Sequence, residues 1–313
     1  MGDHPTSNPT AILIAGPTAS GKSGLAMALA RKLNGVIINA DSMQVYGDLC
    51  VLTARPSAED EALVAHKLYG HIAAADAYST GRYARDAAVV IGGAQAQGRV
   101  PIIVGGTGLY FRALLAGLSP IPPVPDDIRA HWRGLEQAQG AYALWTVLKS
   151  DDPQMALRLD PNDGQRIVRA LEVFHATGKS LAEWQRQPGV PVLEEAKTLR
   201  LVVVPERDEL RQRCDARFDA MMEVGALAEV QALQRLNLPG DLPVMRALGV
   251  KPLMQLIEGT LERERAVEQA KAETRQYVKR QTTWLRRNMT AWKYISTQQM
   301  KSIDELIVSF IDC

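Results

Sequence analysis

Gly16, Pro17, Thr18, Ala19, Ser20, Gly21, Lys22 and Ser23 match the pattern G-x-x-x-x-G-K-[ST] in full. Placed between a strand and a helix, such residues form an anion nest. The N–H groups of the loop and of the first helical turn point at a phosphate chain. Lys22 adds a positive charge, and the Ser23 hydroxyl can ligate Mg²⁺. The flanks comply: "AILIA" (11–15) reads as a buried strand, and "GLAMALARKL" (24–33) holds good helix formers and no proline. The motif specifies binding of a di- or triphosphate. It does not specify hydrolysis.

Hydrolysis would call for a second apolar strand ending in an acid that holds Mg²⁺. Two later strands are legible, Val36 to Asn39 before Asp41 and Pro101 to Val104 before Gly105-Gly106-Thr107-Gly108. The second ends in glycines where the acid is expected. Its GGTG lacks the G-x-G-x-x-G spacing of a dinucleotide loop. That points away from motor and switch ATPases, and leaves kinases and transferases that hold a diphosphate as leaving group.

Three further clusters could do chemistry. Asp41, in "ADSMQVY" (40–46), lies past the C-terminal end of the second strand, at the edge where open α/β sheets bind ligands. It is either a general base or the cap of an Asx-turn. In "DPNDGQRIVRALEVFHATGKS" (160–180), Asn162 or Asp163 can cap a helix with Arg166 and Arg169 on one face. Ile167, Leu171 and Phe174 form its buried face. The arginines either grip a ligand or are solvated. "KAETRQYVKRQTTWLRRN" (271–288) carries six basic residues and one acid, Glu273. Arg275, Lys279 and Arg286 fall near one helical face, with Thr282 between them. Arg280 and Arg287 lie on another, and Tyr277 and Trp284 are interleaved. This suits a phosphate backbone with unstacked bases, or an ordinary solvated helix.

The elements that must position these residues follow from the pattern. Strand and helix alternate through about residue 118, as in a P-loop NTPase-like doubly wound parallel α/β sheet. Four prolines between residues 120 and 125 forbid regular structure and mark a boundary. Residues 126 to 196 read as helical, and "TLRLVVV" (198–204) reads as a strand returning to the sheet. The expected organisation is a disordered tail at 1–10 and a P-loop core from 11–119 and 197–313, with basic C-terminal helices. A helical insertion domain occupies 120–196. "AWKYIST" reads as a late strand and "SIDELIVSFI" as a last helix.

Bulk properties exclude other classes. Of 313 residues, 46% are hydrophobic and 23% charged, which fits a soluble globular protein. No apolar run is long enough for a membrane span. Cys50, Cys214 and Cys313 are too few and scattered for a disulfide framework or a zinc site, so a reducing cytoplasm is expected. The net charge of +1 does not itself announce a nucleic-acid binder. No dimer stripe stands out, and a monomer is expected.

Together, "GPTASGKS", "NADSMQVY", "YSTGRYARDA", "PIIVGGTGLY", "DPNDGQRIVRALEV", "VMRALGVKPL" and "KRQTTWLRR" resemble the tRNA dimethylallyltransferases, in the family's order and across residues 16 to 287. One departure is "HKLYGHIAAADA" (66–77), where bacterial relatives more often have two adjacent histidines and "LID". The resemblance implies an enzyme that moves the dimethylallyl group of dimethylallyl diphosphate to N6 of the adenosine beside the anticodon, position 37. It implies that Gly16 to Ser23 cradle the diphosphate, with Ser23 on Mg²⁺, and that Lys22, Asp41 and Thr107 are catalytic. It further implies that the anticodon stem-loop is held by Asp41, Ser42, Met43, Gln44, Thr107 and Arg129, and by Gln165, Arg166, Ile167, Val168 and Arg169. Arg246, Lys251, Lys279, Arg280, Gln281, Thr282, Thr283, Trp284, Leu285 and Arg286 complete that set. The rival readings are a P-loop kinase using ATP on a small molecule, an adenylate isopentenyltransferase acting on free AMP, and a non-catalytic RNA-binding protein.

Overall fold

Strand β1, Ala11–Ala15, is buried at all five positions and lies inside a sheet of parallel strands. The computed structural model describes residues 9–296 and Gln299, and the chain divides into two compact units, 116–191 and the rest. The expected N-terminal tail, apart from Pro9 and Thr10, and the expected last helix lie outside the described residues.

In the larger unit β1 is followed by α1 (Lys22–Lys32), β2 (Gly35–Asn39), α2 (Ala58–Leu63), β3 (His66–Lys67), α3 (Thr80–Ala96), β4 (Val100–Gly105) and α4 (Gly108–Ala116). The chain then forms the smaller unit, with α5 (Asp126–Asp151), α6 (Pro153–Ala156), α7 (Gly164–Thr177) and α8 (Leu181–Trp184). It returns to the sheet as β5 (Thr198–Val203). There follow α9 (Arg207–Glu223), α10 (Ala226–Arg235), α11 (Val250–Ile257), α12 (Arg263–Asn288) and β6 (Lys293–Ile295). The six strands run in the order β3-β2-β4-β1-β5-β6, every neighbouring pair parallel.

Alternate residues of each strand point to opposite faces, and both faces are apolar. Ile12, Ile14, Ile37, Ile102, Val104 and Leu201 pack with Leu25, Ala26, Leu29 and Ala30 of α1. Leu13, Ile38, Ile103 and Val202 face the other way, toward Tyr83 of α3, Phe111 of α4, Val230 of α10, Leu253 of α11 and Leu285 of α12. Each fully buried leucine contributes about 1.5–3 kcal/mol of transfer free energy. The sheet is thus a rigid platform whose C-terminal edge holds the loops after β1, β2 and β4.

The pattern reading missed α2 and β3. A two-residue strand has no period to detect. The start of α2 did carry a signal: Ser57 and Asp60 form a reciprocal capping box.

In the smaller unit α5 packs on α7 around Trp132, Leu144, Leu148, Ile167 and Leu171. Gly140, with φ of 80°, interrupts α5 between the two stretches that read as separate helices. Asp163 caps α7, accepting from the Arg166 N–H at 3.3 Å. Phe174, expected on the buried face, is only half-buried.

Candidate active site

β1 ends at Ala15, and the next six residues turn the chain into α1. Gly16 has no room for a side chain: a Cβ there would lie 2.7 Å from Ser20 Oγ and from the Val203 carbonyl. Ala19 (φ 61°) and Gly21 (φ 92°) take the left-handed conformation. Such turns make the loop's N–H groups converge on one concavity. Helix α1 begins at Gly21 with no side-chain cap and no acid in its first turn. Its unsatisfied N–H groups and the positive end of its dipole therefore face an incoming anion.

Lys22 lies against this loop, its Nζ donating to the Pro17 carbonyl at 3.2 Å. Burial pulls its ammonium down to about 8; Asp41 opposes that shift, and Arg217 adds to it. A bound phosphate would favour the charged form and reverse the shift.

The facing wall is built from the exits of β2 and β4. Asn39 is fully buried, and its amide donates to the carbonyls of Asp41 (2.9 Å) and Leu68 (3.0 Å). Its own carbonyl oxygen accepts the Asp41 N–H at 2.8 Å. This locks the turn that presents Asp41. The Asx-turn reading of Asp41 has a direct counterpart. Its Oδ1 accepts the Met43 N–H at 2.9 Å, an Asx-turn, while its charge acts on Lys22, Arg217, Tyr110 and Tyr277.

Thr107 meets Asp41's turn directly. Its N–H donates to the Ala40 carbonyl at 3.1 Å, and its Oγ1 accepts the Ser42 N–H at 2.9 Å. Such closeness needs Gly105, where a Cβ would fall 2.1 Å from Ala40 backbone atoms. Since β4 lies between β1 and β2, Thr107 emerges between the phosphate loop and Asp41. Lys22, Asp41 and Thr107 thus come together.

One residue of this site escaped the sequence reading, and a second was read in a different role. Arg217, on α9, is half-buried and lines a small cavity with Thr18, Ala19, Cys214 and Phe218. Burial lowers its pKa, and the charge of Asp41 partly restores it. A signal existed: Leu210, Cys214, Phe218 and Met221 form the buried stripe of α9, and Arg217 sits at its edge. The second is Gln281. Read as an RNA-facing residue, it points inward instead, only 7% exposed. Its Oε1 accepts the Thr18 N–H at 3.0 Å and its Nε2 donates to the Gly106 carbonyl at 3.1 Å.

Helix α12 explains the correction. Thr274, Val278, Gln281 and Leu285 form its buried stripe, so Leu285 is core and not surface. Arg275 is also drawn inward: it pairs with Asp215 of α9 at 2.8 Å and with Glu268 at 2.5 Å. Lys279, Arg280, Thr283, Arg286 and Arg287 are exposed, and Thr282 and Trp284 are half-buried. Arg280 lies over the Tyr277 ring at 5.7 Å. Arg246 and Lys251 are exposed as well. Near Asp41, Met43 packs against the core and the Gln44 amide is spent on the carbonyls of Thr53 and Ala54.

Within the smaller unit, Gln165 and Arg166 are exposed, and Arg166 pairs with Asp163 at 3.4 Å. Arg169 pairs with the buried Glu172 at 3.3 Å, and Arg129 with Asp126 at 3.4 Å. Ile167 and Val168, read as part of a tRNA-facing segment, are buried in the unit's core, because the helix period turns them away from Gln165 and Arg166.

The donor set suits a magnesium ion held chiefly by a ligand's phosphates. Ser23 is exposed in the first turn of α1, and no group of three or more His, Cys, Asp or Glu able to hold a metal occurs among the described residues. Mg²⁺ commonly takes one or two protein oxygens and completes its shell with phosphate and water. Among the described residues no helix is long and apolar enough to cross a membrane.

Comparison with known proteins bears on this geometry. The family described as IPP transferase matches residues 44–288, and that described as isopentenyl transferase matches residues 9–69. The chain is 51% identical over 290 residues to the tRNA dimethylallyltransferase of Azorhizobium caulinodans, covering 93% of each. It is 51% identical over 302 residues to that of Parvibaculum lavamentivorans, covering 96% of each. Among solved structures it is similar to a eukaryotic dimethylallyltransferase acting on tRNA, with TM-score 0.81 and 28% identity, covering 94% of this chain and 75% of that one. It is also similar to the tRNA delta(2)-isopentenylpyrophosphate transferase of Staphylococcus epidermidis, with TM-score 0.69 and 30% identity, covering 98% and 100%.

Proposed function

We propose that this chain, which belongs to the IPP transferase family and is a tRNA dimethylallyltransferase, joins the dimethylallyl group of dimethylallyl diphosphate to N6 of the adenosine at position 37. The observation that carries the residue assignment is the facing of an uncapped phosphate cradle by Asp41 and Thr107 across one sheet edge.

The chemistry follows from charge. The C1–O bond of the substrate breaks with both electrons leaving on diphosphate, and C1 gains allylic cation character. Negative charge then grows on the bridging oxygen. The loop N–H groups, Lys22 and Arg217 meet it with fixed positive charge, which lowers the barrier. Mg²⁺, held by Ser23 and the diphosphate, would supply further neutralisation there. The N6 lone pair forms the new bond to C1. Once bonded, N6 is cationic and acidic, and Asp41 receives its proton. Before that step a carboxylate is far too weak a base to deprotonate a neutral amine. It can orient N6–H so that the lone pair faces C1, with Thr107 beside it. A cradle without a water-positioning acid fits this reaction, since water at C1 would waste the substrate.

The adenine must leave its stack to reach this site. That costs a few kcal/mol, least for an unpaired loop base. Lys279, Arg280 and Arg286, with Arg246 and Lys251, would hold the stem-loop by its phosphates. Gln165, Arg166 and Arg129 of the smaller unit would act in the same way. The enzyme would work as a monomer in the cytoplasm.

The test is mass spectrometry of tRNA incubated with enzyme, Mg²⁺ and dimethylallyl diphosphate. One dimethylallyl group should replace one hydrogen on the adenosine 3′ to the anticodon. Transfer to free AMP, or phosphoryl transfer from ATP to a small molecule, with tRNA unchanged, would refute it.

A further inference from the structure

We infer that Gln281 is a positioning residue that joins three parts of the site: the phosphate loop, the Thr107 loop and the inner face of α12. The inference rests on the function proposed above. The amide reaches Thr18 and Gly106, which are far apart in sequence, with a different end for each. Its Oε1 accepts the Thr18 N–H at 3.0 Å and its Nε2 donates to the Gly106 carbonyl at 3.1 Å. Gly106 and Thr107 are adjacent, so the second bond fixes the backbone that presents Thr107 to Ser42.

The loop glycines show how close α12 lies. A Cβ at Gly106 would fall 2.2 Å from Gln281 Nε2, and one at Gly108 would fall 2.0 Å from the Trp284 ring. Gln281 and Trp284 are three apart on α12 and so share a side of the helix. Both press on the same short loop. Gly106 and Gly108 of "GGTG" are therefore the space into which α12 fits, and Gly105 the space for Ala40, not a nucleotide fingerprint.

The arrangement has a consequence for catalysis. Gln281 sits between Lys279 and Arg280 on one side and Trp284 on the other, yet faces the opposite way from the basic side chains. Its amide is thus committed to two backbone groups rather than presented to tRNA. A buried amide bridging two backbone groups holds the distance between the diphosphate cradle and the Thr107–Asp41 wall. That distance is the one that sets C1 against N6. A misplacement of about 1 Å between reacting groups can cost on the order of 100-fold in rate.

The test uses the full-length enzyme with anticodon stem-loop RNA and dimethylallyl diphosphate. Gln281→Met removes both bonds at similar volume; Gln281→Asn keeps the amide but is one methylene too short to span them. We expect each to lower kcat by about 10- to 100-fold, with stem-loop Kd and its salt dependence within about twofold of the parent. Gly106→Ala should lower kcat in the parent and cost little more in a Gln281→Ala background, because the atom it collides with is gone. Hydrogen–deuterium exchange of the peptide around Thr18 should quicken in Gln281→Met, which reads the bridge even if activity is too low to measure. Unchanged kcat in both Gln281 variants, or additive losses with Gly106→Ala, would overturn the bridge. Loss of stem-loop affinity in parallel with kcat would return Gln281 to the RNA-binding face. A parent enzyme that transfers no dimethylallyl group, yet shows the exchange difference, would sink the functional reading and leave the bridge standing.

Discussion

Asp41→Asn keeps an acceptor for the Met43 N–H, now 2.9 Å from Oδ1, and removes the charge. Asp41→Ala removes both. The two substitutions separate the turn from the chemistry. The neutral hydrogen bond that asparagine keeps and alanine lacks is worth about 0.5–1.5 kcal/mol. At about 1.4 kcal/mol per tenfold, its loss costs roughly 2- to 12-fold. A carboxylate that receives a proton in the transition state is worth about 10²–10⁴ in rate. If Asp41 takes the N6 proton, the asparagine variant loses about 10²–10⁴ in single-turnover transfer. The alanine variant then loses that and up to about tenfold more. If Asp41 only shapes the turn, asparagine is nearly silent and alanine carries the whole small effect.

The assay is single-turnover transfer of labelled dimethylallyl groups to an anticodon stem-loop, with stem-loop Kd measured beside it. One coupling must be controlled. The charge of Asp41 raises the pKa of Lys22, so removing it drops Lys22 below its present value of about 8. Measurements are made well below that pH, where Lys22 stays protonated in both proteins. An asparagine variant within about tenfold of the parent would refute a proton-accepting role for Asp41.

Other outcomes follow from the same geometry. Lys22 carries its charge below about 8, so affinity for inorganic diphosphate should be full there and fall as pH rises above it. Calorimetry across that range reads the fall, and Lys22→Met should flatten it. Replacing Lys279 and Arg280 by alanine should lower the slope of log affinity against log salt by about one for each phosphate no longer neutralised. Leu285→Ala, by contrast, should leave that slope alone and cost about 2–5 kcal/mol of stability in a melt. Arg217→Ala should weaken binding of dimethylallyl diphosphate and diphosphate alike with stem-loop Kd unchanged. Equal affinity for diphosphate would remove Arg217 from the cradle.

What could be read from the chain alone was what short-range physics controls. The phosphate loop is one continuous octapeptide whose glycines shape its backbone, so its conformation was legible from residues 16–23. The Asx-turn at Asp41 and the cap at Asp163 also use donors within three residues. The long, periodic helices α7 and α12 were visible for the same reason. Tertiary structure decided which side of α12 faces inward. Its basic and apolar residues are equal in number, eight of each, and only packing against α9 and the Thr107 loop turned Gln281 and Leu285 away from solvent and drew Arg275 into an ion pair with Asp215. It also brought Arg217 to the phosphate loop and Thr18 to Gln281, 263 residues apart. Contacts at that separation leave no periodic trace, because they depend on strand order and on how closely glycine lets two backbones approach.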